Sequence, residues 1–211
     1  MDYHVITPLA RADFFPKVKS MLEEQIISSK CSIIWDVIVD AGSNIDLGDL
    51  SLNSWIRVHT CPNDGVEFWK RCNNSINWYL DNKLVDLNAK YMFLNDDDFY
   101  EPHFFSKIDR SKSPIVICSM DRGHNTPHTA HPYKRHPTGK LIGHPGNMKV
   151  CMVGIEQIVI EGNYLKNYRL PLHVWGDGMM IEHIVATNTC VDYLPDTLVL
   201  FNYLEEGRWN K

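Results

Sequence analysis

The segment Ile33-Ile34-Trp35-Asp36-Val37-Ile38-Val39 is apolar at nearly every position, so the strand it forms must be covered on both faces. It ends in Asp40-Ala41-Gly42-Ser43, which has turn chemistry. The segment before it has helical spacing at Phe14, Val18, Met21, Leu22, Gln25 and Ile26, with Asp13 placed to cap it. The same order recurs along the chain. His4-Val5-Ile6-Thr7 reads as a short strand, and Pro8 argues against its continuation in a central ladder. Trp55 to His59 is a further strand. A second helix is expected from Asp64, where Asp64 and Glu67 have capping-box spacing, with Val66, Trp69, Asn73, Ile76 and Leu80 on its buried stripe. Tyr91 to Leu94 and Ser113 to Ser119 complete the early strands. Strands alternating with helices predict an α/β fold with a mixed, mostly parallel central sheet flanked by helices. Ligands in such sheets sit beyond the carboxyl ends of the strands, where Thr7, Asp40 and the residues after Leu94 fall.

Leu94 leads into Asn95-Asp96-Asp97-Asp98-Phe99-Tyr100-Glu101-Pro102. Adjacent carboxylates repel one another and desolvate poorly. At a strand end they suit a hard divalent cation shared with substrate phosphates. The alternative is a solvated acidic turn in which Asp96 or Asp98 bonds the backbone just beyond it. Asn73 lies on a helix's apolar stripe, where a buried amide must be hydrogen-bonded; it can brace the acidic loop or satisfy a neighbouring backbone. Asp177 stands between Gly176 and Gly178 at the start of a helix expected to run through Val185. It can act as a general base toward an acceptor hydroxyl or simply cap the helix.

The 211 residues suffice for one domain. A formal net charge of −5 makes nucleic acid or an anionic membrane a poor partner. No apolar segment is long enough to span a membrane, and no signal peptide is evident, so a cytoplasmic location is expected. The cysteines at 31, 61, 72, 118, 151 and 190 form no CxxC pair, which predicts reduced, mostly buried thiols.

From Asp121 to Gly146 the prolines at 127, 132, 137 and 145 and the glycines at 123, 139, 143 and 146 exclude regular structure. His124, His128, His131, His136 and His144 fall here, with Lys134, Arg135 and Lys140. These are plain loop residues, phosphate or acceptor contacts of a closing loop, or, with no helical register to group them, least readily a metal site. Met148 to Val153 reads as a return to strand. There is no GxGxxG after a strand, no P-loop and no GxSxG, which lowers dinucleotide oxidoreductases, P-loop kinases and α/β-hydrolases.

Four segments in order resemble the GT-A glycosyltransferases of the broad group similar to family 2. Val5-Ile6-Thr7-Pro8 with Arg11 resembles the opening nucleotide-binding strand. Val37-Ile38-Val39-Asp40-Ala41-Gly42-Ser43 resembles the run before the "DDGS" turn. Arg71-Cys72-Asn73-Asn74-Ser75-Ile76 is similar to the "ARNxG" helix, with Cys72 and Ser75 departing from it. Phe93 to Pro102 resembles "FLDxDDxYxP", with Asn95 in the slot of the first Asp. Trp175-Gly176-Asp177 resembles the late "ED" element, with Gly176 in place of Glu. The chain also resembles the amino-terminal domains of chlorella-virus glycosyltransferases acting on capsid-protein glycans.

The resemblance implies a single GT-A domain over 1–211, with a nucleotide-sugar-binding half over about 1–100 and an acceptor half over about 101–211, and transfer of a hexose, glucose- or rhamnose-type, from a UDP-sugar to a hydroxyl of a glycan or glycoprotein acceptor. Mn²⁺ or Mg²⁺ would be bound by Asp97, with Asp98 or Asp96 as its uncertain second. Thr7, Arg11, Asp40, Asn73, Asn95 and Asp96 would position the donor, and Asp177 would be the base of an inverting displacement. A catalytically silent nucleotide-sugar or glycan-binding module and a sugar-1-phosphate nucleotidyltransferase are the alternatives.

Overall fold

The computed structural model describes residues 2–48, 53–67, 70–83, 85–122, 140–150, 152–173, 175–201 and 203. Its strands are β1 (Asp2–Leu9), β2 (Ser32–Asp40), β3 (Ile56–Cys61), β4 (Lys90–Phe93), β5 (Phe99–Tyr100), β6 (Ile115–Asp121), β7 (Lys140–Leu141), β8 (Ile158–Glu161) and β9 (Val191–Leu200). Its helices are α1 (Phe15–Ser29), α2 (Arg71–Asn82), α3 (Phe104–Ile108), α4 (Gly162–Leu165) and α5 (Gly176–Thr187). The strands form one sheet in the order β3-β2-β1-β4-β8-β6-β9-β5, with β7 paired to β6. β3, β2, β1 and β4 are mutually parallel. β8 runs against both β4 and β6, and β9 is parallel to β6. The sheet is therefore mixed and mostly parallel at its centre, as the alternation of segments predicts.

Each face carries its own core. Phe15, Val18, Met21 and Leu22 of α1 pack with Phe104, Phe105 and Ile108 of α3 against Val5, Trp35, Val37 and Val116. Ile76, Tyr79 and Leu80 of α2 and Met180, Ile181 and Ile184 of α5 pack on the other face with Ile6, Ile38, Phe93, Ile117 and Ile160. Alternate residues of β1, β2, β4 and β6 divide between the two cores, which explains their unbroken apolar runs.

Four local expectations are corrected. β1 is central and runs through Pro8, which pairs with Ile38. Its partner β4 ends in register at Ile6↔Phe93, and Leu94 N–H then bonds the Ile6 carbonyl. Strand parity turns residue 8 to that same side, past the end of β4, so the missing N–H costs no ladder bond. α2 starts at Arg71 rather than near Asp64, because Gly65 at φ +76° makes a turn in which Val66 N–H bonds Asn63 O; Trp69 lies outside the described residues. Asp13 does not cap α1. It sits in a 3₁₀ turn, Ala12–Phe14, that leads straight into the helix, whose first turn contains Pro16. The described residues between Met148 and Val153 form no strand; Met148 and Val153 are buried from irregular backbone, and the strand begins at Ile158.

No helix of the described residues is long and apolar enough to cross a membrane. Cys31, Cys61, Cys72, Cys118 and Cys190 are free thiols, of which Cys190 is exposed. Cys151, His124, His128, His131, His136, Lys134 and Arg135 lie outside the described residues.

Candidate active site

The carboxyl ends of β1, β2 and β4 open on a pocket of about 310 Å³ lined by Pro8 to Arg11, Ile38, Asp40, Arg71, Cys72, Ser75, Asn95, Asp96, Asp97 and Phe201. Within it Asp96 is held from every side. One carboxylate oxygen accepts from Ala10 N–H at 2.8 Å and Arg11 N–H at 2.7 Å. The other accepts from Arg11 Nε at 3.0 Å and from Arg11 Nη2. The same guanidinium reaches Asp97 Oδ2 at 2.9 Å. One arginine thus offsets two of the adjacent acids, the fork geometry a lysine lacks. Asp98 is fully buried and outside the pocket lining, its N–H closing a turn onto Asn95 O at 3.2 Å.

Asp40 divides this pocket from a second, lined by Gly42, Ser43, Asn63, Asp64, Gly65 and Arg71. Arg71 Nη1 donates to Asp40 Oδ2 at 3.1 Å, and Asn63 Nδ2 donates to Oδ1. Asn63 is itself fixed by Ser75 Oγ at 3.0 Å and by Asn74 Nδ2 at 2.7 Å. Thr7 is buried and lies outside the pocket lining; its hydroxyl accepts from Trp35 Nε1 at 2.9 Å.

Asn73 braces a different segment from the one the sequence suggests. Its Nδ2 donates to the carbonyls of Pro171 at 3.1 Å and His173 at 3.2 Å, just ahead of α5. A Cβ on Gly176 would overlap the Pro171 carbonyl and crowd Asn73 Nδ2. Gly176 is therefore required by the close approach of these segments. It seats Asp177 in the first turn of α5, where the helix dipole favours a carboxylate.

Behind Asn95 lies a second acid, Glu156, 3% exposed. Asn95 Nδ2 donates to Glu156 Oε1, and Cys72 Sγ donates to Asn95 Oδ1 at 3.4 Å. Burial and the nearby Asp177 charge raise the Glu156 carboxyl to about 7. Burial also raises Asp177, against the pull of backbone N–H groups at Gly178, Asp177 and Ile155 and of the Arg122 guanidinium. Arg122 leaves the end of β6 with its guanidinium 5.0 Å over the Phe201 ring. Two acids whose environments differ can divide acid and base roles between them.

The expected residues Arg11, Asp40, Asn95, Asp96 and Asp97 meet in one pocket. Asn73 and Asp177 meet at the start of α5, and Thr7 and Asp98 lie in the packed interior beneath. Asn63, Arg71, Arg122, Glu156 and Phe201 were not anticipated. Only Glu156 carries a sequence signal, as a lone charge inside Val153–Ile160.

Among the described residues no group of three or more His, Cys, Asp or Glu side chains is arranged to hold a metal ion. The donor set nevertheless fits a cation taking one or two carboxylates and completed by phosphate oxygens. Asp96 and Asp97 both line the pocket; both oxygens of Asp96 are taken by Ala10 and Arg11, and Oδ2 of Asp97 meets the Arg11 guanidinium.

No protein-family model matches the sequence, and no curated protein matches it. Among solved structures, the chain is similar to TarS residues 1–349 of S. aureus, with a TM-score of 0.67 and 14% identity over 99% of this chain and 64% of that one. TarS 1–349 in complex with UDP gives a TM-score of 0.62 at 14% identity over 95% of this chain and 60% of that one. The mannosyltransferase PcManGT of Pyrobaculum calidifontis, in complex with GDP-Man and Mn²⁺, gives 0.59 at 10% identity over 99% and 59%. The chain thus spans about three fifths of the length of these solved chains, and 39% of that of the longer TarS structure. A 4-diphosphocytidyl-2C-methyl-D-erythritol synthase gives 0.53 at 8% identity over 92% of this chain and 89% of that one. The chain has the GT-A fold.

Proposed function

We propose that the protein is a glycosyltransferase that moves a hexose from a UDP-sugar to a hydroxyl of a glycan or glycoprotein acceptor. The observation that carries this reading is the convergence of Arg11, Asp40, Asn95, Asp96 and Asp97 on one pocket at the carboxyl ends of β1, β2 and β4. Asp40, held by Arg71 and Asn63, takes the base and ribose end of the donor. Arg11 faces the diphosphate while keeping Asp96 and Asp97 in place. Thr7 lies beneath the pocket, bonded to Trp35, and Asn73 fixes the segment leading to Asp177.

Asp97, with Asp98 behind it, would hold Mn²⁺ or Mg²⁺, which when bound offsets the charge of the departing nucleoside diphosphate. Asp177 takes the acceptor's proton as the hydroxyl attacks the anomeric carbon in a single inverting displacement. A glucose- or rhamnose-type sugar, a viral source and a cytoplasmic setting rest on the sequence alone.

Calorimetry with UDP, with and without Mn²⁺, tests the site. Metal-dependent affinity is expected, and absence of any UDP binding would overturn the reading. A screen of UDP-sugars for slow metal-dependent hydrolysis then separates an enzyme from a silent binding module. The likeness to the diphosphocytidyl synthase favours a second, weaker reading as a nucleotidyltransferase. Formation of a nucleotide sugar from a nucleoside triphosphate and a sugar-1-phosphate would establish it instead.

A further inference from the structure

Glu156 is an acid buried at a cost its contacts do not offset. Moving a carboxylate out of water costs several kcal/mol. Here Oε1 accepts from Asn95 Nδ2, while the fully enclosed Oε2 has no hydrogen-bond partner among the described residues. The position is nonetheless rigidly built. Glu156 stands in a 3₁₀ turn, Ile155–Gln157, locked by its neighbour: Gln157 Oε1 accepts from Gly154 N–H at 3.0 Å, and Nε2 donates to Cys118 O at 2.8 Å. A Cβ on Gly154 would overlap Glu156 Oε2, so that glycine is the space in which the carboxyl sits.

The turn lies where it does because β8 is antiparallel to β4 and β6. Its entry, not its exit, meets the edge where the parallel strands end. The carboxyl thereby faces Asn95 and Asp97 from the acidic loop, Cys72 from α2, Arg122 from the end of β6 and Asp177 from α5. The same turn packs against α5, whose first turn carries Asp177.

We propose that Glu156 is a positioning residue of the donor pocket. Through Asn95 it fixes the loop that carries Asp96 and Asp97, from a turn that also packs against the helix bearing Asp177. The proposal rests on the glycosyltransferase reading.

The test is calorimetry of the full chain with UDP and Mn²⁺, with melting temperature recorded for every variant. Glu156→Ala and Asn95→Ala should each weaken binding about tenfold, and the double variant should be no weaker than either single one, because both break the same link. Glu156→Gln keeps an oxygen for Asn95 Nδ2 while removing the charge. It should bind within about threefold of the parent and melt no lower, as neutralising a poorly compensated buried acid does not destabilise. If Glu156→Ala fails to fold, Gly154→Ala displaces the same carboxyl and should reproduce the tenfold loss. Unchanged binding in Glu156→Ala, additive losses in the double variant, or failure of Gln to rescue would each overturn the proposal while leaving the function standing. A parent protein that binds no UDP would overturn both.

Discussion

Cys72 Sγ lies 3.4 Å from Asn95 Oδ1, and these are two of the positions at which the chain departs from the motifs it resembles. The motifs it resembles have Arg and Asp at these positions; this chain carries a neutral thiol and an amide. Burial, together with the negative charges of Glu156 and Asp177, pushes the Cys72 thiol well up, so it remains a proton donor to Asn95. The amide nitrogen of Asn95 is what reaches Glu156.

Restoring the acid alone should therefore be harmful. Asn95→Asp removes the N–H that Asn95 offers to Glu156 Oε1 and sets a half-buried carboxyl against a buried one, at a cost of about 1–3 kcal/mol. The melting temperature should fall by roughly 3–10 °C, given about 2–4 °C per kcal/mol in a chain of this size. The double variant Cys72→Arg/Asn95→Asp should melt higher than Asn95→Asp alone. Equal melting temperatures for Asn95→Asp and the parent would show that the Asn95–Glu156 link contributes nothing to stability.

Asp177→Asn should leave UDP affinity within about twofold and lower transfer by about 10²–10⁴-fold, the usual contribution of a positioned base. The base works deprotonated, and burial raises its pKa. The acid limb of the parent's transfer rate should therefore lie above the ordinary aspartate value of about 3.9, with activity lost as pH falls through it. Undiminished turnover in Asp177→Asn, measured with whichever UDP-sugar the hydrolysis screen identifies, would remove Asp177 from the chemistry.

Much of this arrangement was legible in the sequence, because strand ends leading into turn chemistry can be read directly. Asp40 and the 95–98 loop come after apolar runs whose burial is unambiguous, and the sheet places both beside Arg11. Glu156 escaped the same rule because it precedes its strand. Only the antiparallel direction of β8 brings that entry to the site, and strand direction is not encoded in local spacing. The start of α2 was misplaced because Asp64 and Glu67 satisfy the capping pattern while Gly65 takes a positive φ, a backbone choice made by packing. Pro8 misled for a related reason, since its tolerance depends on β4 ending two residues earlier in register. The target of Asn73 was hidden because its partners are carbonyls nearly a hundred positions away.

Arg11→Lys should weaken UDP binding more than a conserved charge suggests. Arg11 grips Asp96 through Nε and Nη2 and spans to Asp97 from the same group. A lysine supplies one point charge and cannot bridge both acids with fixed geometry. Two backbone N–H groups still hold Asp96, so the fold should survive with a loss of about 1–2 kcal/mol. UDP affinity with Mn²⁺ should fall about tenfold as Asp97 loses its orientation. Parent-like affinity in Arg11→Lys would show that orientation of the acidic loop does not depend on the guanidinium.

Acid stability should depend on Asp36, which is fully buried on β2 between neighbouring strands. His4 Nδ1 lies 2.8 Å from one carboxylate oxygen and His59 Nε2 2.7 Å from the other. Burial pushes this carboxyl up, but the hydrogen bonds from His4 and His59, the His4 charge and the Tyr79 hydroxyl outweigh it, and the net shift is downward. A depressed folded pKa contributes stability that is present above the unfolded value of about 3.9 and is lost as pH falls through the folded value. Glu156 acts in the opposite sense and in another window. With its carboxyl raised to about 7, it holds a proton the unfolded chain has lost, so its contribution declines as pH rises from about 4 to 7. Asp36→Asn should lower stability by about 2–4 kcal/mol near neutrality and flatten the loss below pH 4. Glu156→Gln should leave that acid loss intact and remove the decline between pH 4 and 7. Melting temperatures of the parent and both variants across pH 3 to 8 separate the two, and an Asp36→Asn curve parallel to the parent's below pH 4 would show that the His4–Asp36–His59 link does not govern acid unfolding.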